Sequence, residues 1–272
     1  MNILVTLNSN YIPPLKIMLK SMFINNPKVT FTVYLMHSSI TDHEIDDLKS
    51  YIEMHKSKLE VLFINEDDFT DAPAHSYYTK EMYYRLLAYK FLPEDIDRVL
   101  YLDPDILVIN SLEALYNLNI DDYLFAAAFH DIPGTDTINK VRFYPYELKE
   151  YYNSGVLLMN LENQRNKIKE NEIFKFVEEY FNILIFPDQD VLNALYSQDI
   201  LTLDEKIYNY DVRFYSLYKI SSKDEWDMTK VIYNTVILHF CGKNKPWRRD
   251  YKGNFHSLYK YYEKLTFNKF SE

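Results

Sequence analysis

The sequence predicts an α/β domain with a largely parallel central sheet and helices on both of its faces. Two observations lead there. Strand-like apolar runs alternate with helical patterns through the first half of the chain, as in βαβ units. A chain of 272 residues with 47% apolar and 26% charged residues can also bury a large core. That length fits one large domain or two smaller ones. Right-handed crossovers between parallel strands would place helices on both faces.

Residues 3–7 read as the first strand, and residues 13–23 as a helix with proline near its first turn. Residues 30–36 are rich in β-formers. A helix follows from Thr41, where Thr41-Asp42-His43-Glu44 has capping-box spacing. Residues 59–64 form a third expected strand. Residues 80–91 are helical in pattern and stop before Pro93. Residues 98–102 are a fourth strand, and residues 111–118 a short helix behind Ser111. Residues 124–129 and 155–161 read as further buried strands, 163–181 and 188–196 as helices, and 236–240 as a late strand. Residues 132–150, with Pro133, Gly134 and Pro145, look irregular and suit a lid. Ligands of such sheets sit beyond the carboxyl ends of the strands. Attention therefore falls on Asn8-Ser9-Asn10-Tyr11, Asp103-Pro104-Asp105, His130-Asp131 and His239.

Composition removes several function classes. The four glycines, Gly134, Gly155, Gly242 and Gly253, cannot form a G-x-G-x-x-G fingerprint, a Walker A loop or a G-x-S-x-G elbow, and no H-E-x-x-H occurs. One cysteine, Cys241, excludes an internal disulfide framework and a cysteine-based zinc cluster. A net charge of −10 argues against nucleic acid as the main partner. The charge is uneven: residues 243–272 hold eight Lys or Arg against three Asp or Glu, so the rest of the chain carries −15. The longest clean apolar run, Tyr123 to Phe129, is seven residues, far short of the ~20 that span a bilayer. The start, Met1-Asn2-Ile3-Leu4-Val5, lacks a basic n-region and looks like a strand. A signal peptide is not expected, and cytoplasmic residence is. The 26 tyrosines and 17 phenylalanines can stack on sugars and bases, although abundance alone does not show it.

Five local features carry chemistry. Asp103 and Asp105, paired i, i+2 at the mouth of a buried strand, repel each other unless a cation sits between them. Oxygen pairs of this kind suit Mg²⁺ or Mn²⁺ bound to a diphosphate; Asp-Pro-Asp is equally a good turn. His239-Phe-Cys-Gly242-Lys243-Asn-Lys245-Pro246-Trp247 offers a nitrogen ligand, backbone access and point charges for phosphate, or else an ordinary basic loop after a strand. Gly155, after Tyr152-Asn153-Ser154, opens a strand and reads either as a point where a ligand or another backbone approaches or as a plain turn. Pro187-Asp188-Gln189-Asp190 starts a helix, where Asp188 also reads as an N-cap. Arg85, in Tyr83-Tyr84-Arg85-Leu86, lies on an otherwise apolar helix, where an arginine is usually a snorkelling or salt-bridged residue.

Taken in order, these features resemble glycosyltransferase family 8, the retaining nucleotide-sugar transferases. The resemblance covers the Asn-x-Asn-Tyr turn, Tyr-x-Arg-Leu, V-L-Y-L-D-x-D, N-x-G-V-L-L-x-N, D-Q-D and H-x-x-G-x-x-K-P-W, from Ile3 to about Trp247. It implies a single GT-A-like domain over residues 1–250 and a basic aromatic tail over 251–272. It also implies Asp103, Asp105 and His239 as ligands of Mn²⁺, or of Mg²⁺, holding a UDP diphosphate. Pro104, Gly242 and Lys245 then line the nucleotide. Thr6, Asn8, Asn10 and Tyr11 fall where the uridine is read, with Asn8 at a position that is often Asp in the family. Arg85, Asn153, Asp188 and Gln189 match positions around the donor sugar, and Asp131 a carboxylate near sugar and acceptor, with His130 the neighbouring choice in the alignment.

The activity implied is retaining transfer of glucose or galactose from a UDP-sugar to a saccharide or glycolipid of the cell envelope. Gln189 is a poor nucleophile, so same-face attack by the acceptor hydroxyl is expected, with Asp190 the alternative as a covalent nucleophile. A nucleotide-sugar-binding protein without catalysis is the competing reading, and a haloacid-dehalogenase-type phosphatase a third. The phosphatase pair lies near the chain start and is followed by Thr or Val where this chain has Leu107. The tail either lies on an anionic membrane as a peripheral contact or packs on the domain. A homodimer is compatible with the aromatic surface.

Overall fold

A computed structural model describes residues 1–65, 81–130 and 135–268. The first half runs β1 (Asn2–Thr6), α1 (Ile12–Asn25), β2 (Thr32–His37), α2 (Asp42–Glu53), β3 (Lys58–Phe63), α3 (Glu81–Leu86), β4 (Arg98–Leu102) and β5 (Ile106–Val108). There follow α4 (Glu113–Tyr116), β6 (Phe125–Ala128), α5 (Thr135–Arg142), β7 (Val156–Asn160), α6 (Leu161–Lys167), α7 (Glu170–Tyr180) and α8 (Pro187–Tyr196). The chain continues through β8 (Ile200–Leu203), α9 (Glu205–Tyr208), β9 (Tyr210–Asp211), α10 (Tyr215–Ser221), α11 (Met228–Asn234), β10 (Ile237–His239) and α12 (His256–Phe267).

The expected mixed architecture is present. Seven strands pair in the order β3-β2-β1-β4-β7-β6-β8. All neighbours are parallel except at β7, which is antiparallel to β4 and β6. Side chains alternate between faces with period two. Leu4, Tyr101 and Leu157 enter one core with residues of α3, α7 and α8, while Ile3, Val5 and Leu158 enter another with residues of α1 and α2.

Two topological facts position the site. Because β7 is reversed, the residues just before it lie beside the carboxyl end of β4, with Leu102 opposite Val156. A second sheet, β5-β10-β9, pairs β5 antiparallel to β10, with Ile106 opposite His239. Asp103-Pro104-Asp105 is therefore the step by which the chain leaves the large sheet and enters the small one.

Several expectations are corrected. The helix expected over 163–181 is two helices, broken at Ile168, whose backbone is extended. Ile168 is buried, and its carbonyl accepts from Tyr89 Oη (3.1 Å) instead of a later amide. No Gly or Pro marks that break. Of the helix expected over 80–91, the described residues from 81 onward divide into α3 and a 3₁₀ turn over Ala88–Lys90. The region taken as irregular contains α5. Strands β5, β8 and β9, at three, four and two residues, gave too little pattern to anticipate. The Thr41–Glu44 capping box forms as expected. Asp188 is not an N-cap: Phe186 holds that position without a side-chain bond, and Asp190 reaches back to the amides of Ile185 and Phe186 (2.6 and 3.0 Å).

The tail docks on the body as far as Asn268. Tyr259 and Tyr262 of α12 are buried, and Tyr262 Oη accepts from Asn25 Nδ2 of α1 (2.9 Å). Its apolar face is spent on packing, leaving Tyr261 and Phe267 exposed.

Candidate active site

The β4–β5 step and the end of β10 bring Asp103, Asp105 and His239 together, with one ligand atom of each within 4.8 Å of the others. His239 Nε2 lies 3.3 Å from Asp105 Oδ1 and 3.9 Å from Asp103 Oδ2. Its other nitrogen, Nδ1, donates to Asn209 Oδ1 (2.8 Å), which leaves Nε2 aimed at the carboxylates. Fixing the far nitrogen in this way orients a histidine ligand. Cis ligands around a hard octahedral cation stand about 3 Å apart, so small side-chain adjustments would close this set on one ion. Gly155 shows the same fit from the opposite wall. A Cβ there would come within 2.4 Å of His239 Cε1 and 2.7 Å of Asp103 Oδ2. Only glycine lets β7 begin against the triad.

The surrounding groups hold the acids in place. Tyr101 Oη donates to Asp103 Oδ1 (2.6 Å) and approaches Thr6 Oγ1 (3.2 Å), so Thr6 joins the site through Tyr101. Asp105 is buried and carries Lys245 Nζ on its Oδ2. Burial works against its charge, and His239 and Lys245 outweigh burial, so its pKa falls below the usual carboxylate range. Burial likewise opposes a charge on His239, while Cys241 and Asp105 carry its pKa well above the ordinary value. Pro104 is buried between the two acids.

A second group flanks the triad. Arg85 Nη2 lies 3.3 Å from Asp103, and Arg85 Nη1 3.0 Å from Asp188 Oδ2. The guanidinium sits 4.6 Å over the Tyr101 ring. Burial opposes its charge, and Asp103 and Asp188 overcome that, holding it protonated. Ser154 Oγ donates to Asp188 Oδ2 (2.8 Å). Gln189 Oε1 accepts from Asn153 Nδ2 and the Ser154 amide (3.2 and 3.3 Å). Asn153 Oδ1 accepts from Asn209 Nδ2 (2.9 Å), which ties this group to His239. Sequence reasoning missed Asn209, since no motif surrounds it, and passed over Ser154 and Tyr101 inside motifs it did notice.

Asp190 sits apart. It is fully buried, its Oδ1 is held by Arg142 and Tyr151, and its Oδ2 by the two backbone amides before α8. Asp131 lies outside the described residues. Asn8, Asn10 and Tyr11 form the turn after β1, with Asn8 Oδ1 accepting from the Asn10 amide (3.1 Å). Asn8 and Asn10 are exposed, and the Tyr11 ring meets Trp247 edge-on at 6.0 Å.

Behind the triad lies an unanticipated polar network. His130 Nδ1 bonds Glu205 (2.8 Å), and Glu205 also accepts from Tyr218 Oη (2.6 Å). Asp211, opposite His239 in the small sheet, is gripped by Arg213 through Nε (3.0 Å to each oxygen) and Nη2 (2.5 Å). His130, Asp211 and Cys241 also place ligand atoms within 4.8 Å of one another. Arg213 already neutralises Asp211, which leaves this group as an internal ion network. Burial lowers the pKa of His130, but Cys241 and Glu205 more than offset that and push it up to about 9.

Comparison with other proteins shows the family and the fold. The family model for glycosyl transferase family 8 matches residues 2–251. A lipopolysaccharide 1,2-glucosyltransferase of Escherichia coli K12 is 24% identical over 250 residues, covering 92% of this chain and 73% of its own. A putative glycosyltransferase of Haemophilus influenzae is 28% identical over 257 residues, with the same coverage of 92% and 73%. The galactosyltransferase LgtC, solved with donor and acceptor sugar analogues, superposes with a TM-score of 0.80 at 21% identity, over 99% of this chain and 97% of that one. The chain belongs to glycosyl transferase family 8 and is a glycosyltransferase with a GT-A-like fold.

Proposed function

We propose that the chain transfers glucose or galactose from a UDP-sugar, with retention, to a saccharide acceptor of a cell-envelope glycan or glycolipid, using Mn²⁺ or alternatively Mg²⁺. The observation that carries this reading is the convergence of Asp103, Asp105 and His239 against Gly155, with the Arg85–Asp188 pair alongside. Asp103, Asp105 and His239 would hold the metal. When bound, the ion neutralises charge on the diphosphate leaving group.

The chain's own residues supply the rest. Lys245 stands on Asp105 beside the triad, where its ammonium can also meet a phosphate oxygen. Gly242, with φ of +85°, lines the same cavity as Lys245. Arg85, Asn153, Asp188 and Gln189 present donors and acceptors at the mouth of the sheet for the hydroxyls of the transferred sugar. Thr6, Asn8, Asn10 and Tyr11 lie along the first strand and its turn for the uridine.

Same-face attack is supported by what the carboxylates already do. Asp190 is closed off by four donors, and Asp188 is paired with Arg85 and Ser154. Gln189 carries an amide, a weak nucleophile. The acceptor oxygen bonds the anomeric carbon as the bond from that carbon to the β-phosphate oxygen breaks. The leaving phosphate oxygen takes the acceptor proton, so no protein base is required.

The test is mass-spectrometric donor turnover with UDP-glucose, UDP-galactose, UDP-N-acetylglucosamine and GDP-mannose, in Mn²⁺ and in EDTA, beside Asp103→Ala. Mn²⁺-dependent UDP release from one hexose donor, lost in the variant, is expected. UDP release that ignores EDTA and Asp103→Ala would overturn the metal assignment.

A further inference from the structure

The turn after β9 and the loop after β10 line an open cavity of about 550 Å³, within the size range of ligand pockets, and its Lys245 reaches Asp105 of the triad. Its wall includes Arg213, Lys243, Lys245, Arg248 and Lys252, five cations, in a protein whose net charge is −10. Among the described residues Asp250 is the single carboxylate along the wall, and Arg248 pairs with it at 3.1 Å. Lys245 is engaged by Asp105 and Arg213 by Asp211. Lys243 and Lys252 are exposed and have no ion pair among the described residues. The wall therefore keeps uncompensated positive charge even after its internal pairs are counted.

The backbone is shaped to the same end. Gly242 has φ of +85°, and a Cβ there would approach Arg213 Nη1 to 2.8 Å. Glycine at this point lets the guanidinium lie flat against the loop. Asp211 holds Arg213 through Nε and Nη2, so Nη1 is the nitrogen turned toward Gly242 and the cavity. A guanidinium clamped on one edge loses little further freedom when it binds an anion with the other.

Resting on the transferase reading above, we propose that this cavity binds a phosphate group carried by the saccharide acceptor. Gly242 and Lys245 face the donor diphosphate in that reading. Arg213, Lys243, Arg248 and Lys252 are left over, and they surround the same space from two separate chain segments. A tetrahedral dianion satisfies several converging cations better than a single planar carboxylate does. An acceptor phosphate seated there would hold the acceptor beside the leaving group, and a neutral sugar would lack that anchor.

Calorimetry with UDP and Mn²⁺ saturating tests this, using glucose 6-phosphate, glucose and inorganic phosphate as probes. Glucose 6-phosphate is expected to bind about ten-fold tighter than glucose, or better, in low salt. It should also bind tighter than inorganic phosphate. The double variant R248A/K252A, whose binding of UDP reports that it is folded, should lose the preference for the phosphorylated sugar. Equal binding of glucose and glucose 6-phosphate would overturn the proposal. Inorganic phosphate binding as tightly as glucose 6-phosphate would overturn the acceptor assignment in favour of a free-anion site. Failure of UDP itself to bind shows in the first titration and falls on the transferase reading instead.

Discussion

Replacing Gly155 by alanine adds one methyl group at the point where β7 meets the triad. The new carbon would stand 2.4 Å from His239 Cε1, 2.7 Å from Asp103 Oδ2 and 3.1 Å from Asn153 Oδ1. Ordinary carbon contacts begin near about 3.5 Å, so the imidazole must retreat by about 1 Å. It has no easy path, because Nδ1 is held by the buried Asn209 and the ring is itself buried. Asp103 is likewise held by Tyr101 and Arg85. Overpacking of this kind costs about 1–3 kcal/mol of stability. A displacement of about 1 Å at a reacting centre costs roughly a hundred-fold in rate. The assay pairs thermal unfolding with the rate of Mn²⁺-dependent UDP release at saturating donor. The G155A protein should fold, melt a few degrees lower, and lose about two orders of magnitude in rate. Full activity with an unchanged Mn²⁺ requirement would refute the reasoning that the missing Cβ makes room for the metal site.

Further outcomes follow from the same geometry. Arg85→Lys removes a fork that pairs Asp103 and Asp188 at once, and should lower kcat about ten- to a hundred-fold in a steady-state assay. Unchanged kcat would mean the pair is only structural. Asn209→Ala frees the His239 ring and should weaken Mn²⁺ binding about ten- to a hundred-fold, read by titration of UDP binding against Mn²⁺. His130 titrates at about 9 in the folded chain against an ordinary 6.5. A raised pKa means the charged form stabilises the fold. That contribution is complete below pH 6.5 and is lost as pH rises through about 9, an interval worth roughly 3 kcal/mol. Urea unfolding of the wild type should show this slope, and His130→Gln should flatten it; equal slopes would remove His130 as the cause.

Much of the site was legible in the sequence because its residues follow strand ends. Asp103, Asp105 and His239 were each readable as groups at the mouth of a buried strand. What joins them is a pairing of strands that are three residues long, β5 and β10, and pairing between distant short strands leaves no periodic trace. Gly155 was legible as a point of close approach, though not what approached. Asn209 was invisible, since its role is a bond to each of two side chains far along the chain. The break at Ile168 was hidden for a similar reason: tertiary burial and Tyr89 decide it, against a locally helical pattern. Asp190 shows a different limit of the sequence. An acid in the first turn of a helix beside an active-site motif looks available, yet its oxygens are spent on Arg142, Tyr151 and two backbone amides.

Asp103, Asp105 and His239 are proposed to hold one divalent ion that carries the diphosphate of the donor. Calorimetric titration of UDP into the wild type and His239→Gln, in Mn²⁺ and in EDTA, tests it most directly. Tight UDP binding is expected only for the wild type in Mn²⁺, with affinity falling about ten-fold or more in EDTA and in the variant. UDP affinity that is the same with Mn²⁺ and EDTA, or undiminished in His239→Gln, would contradict it.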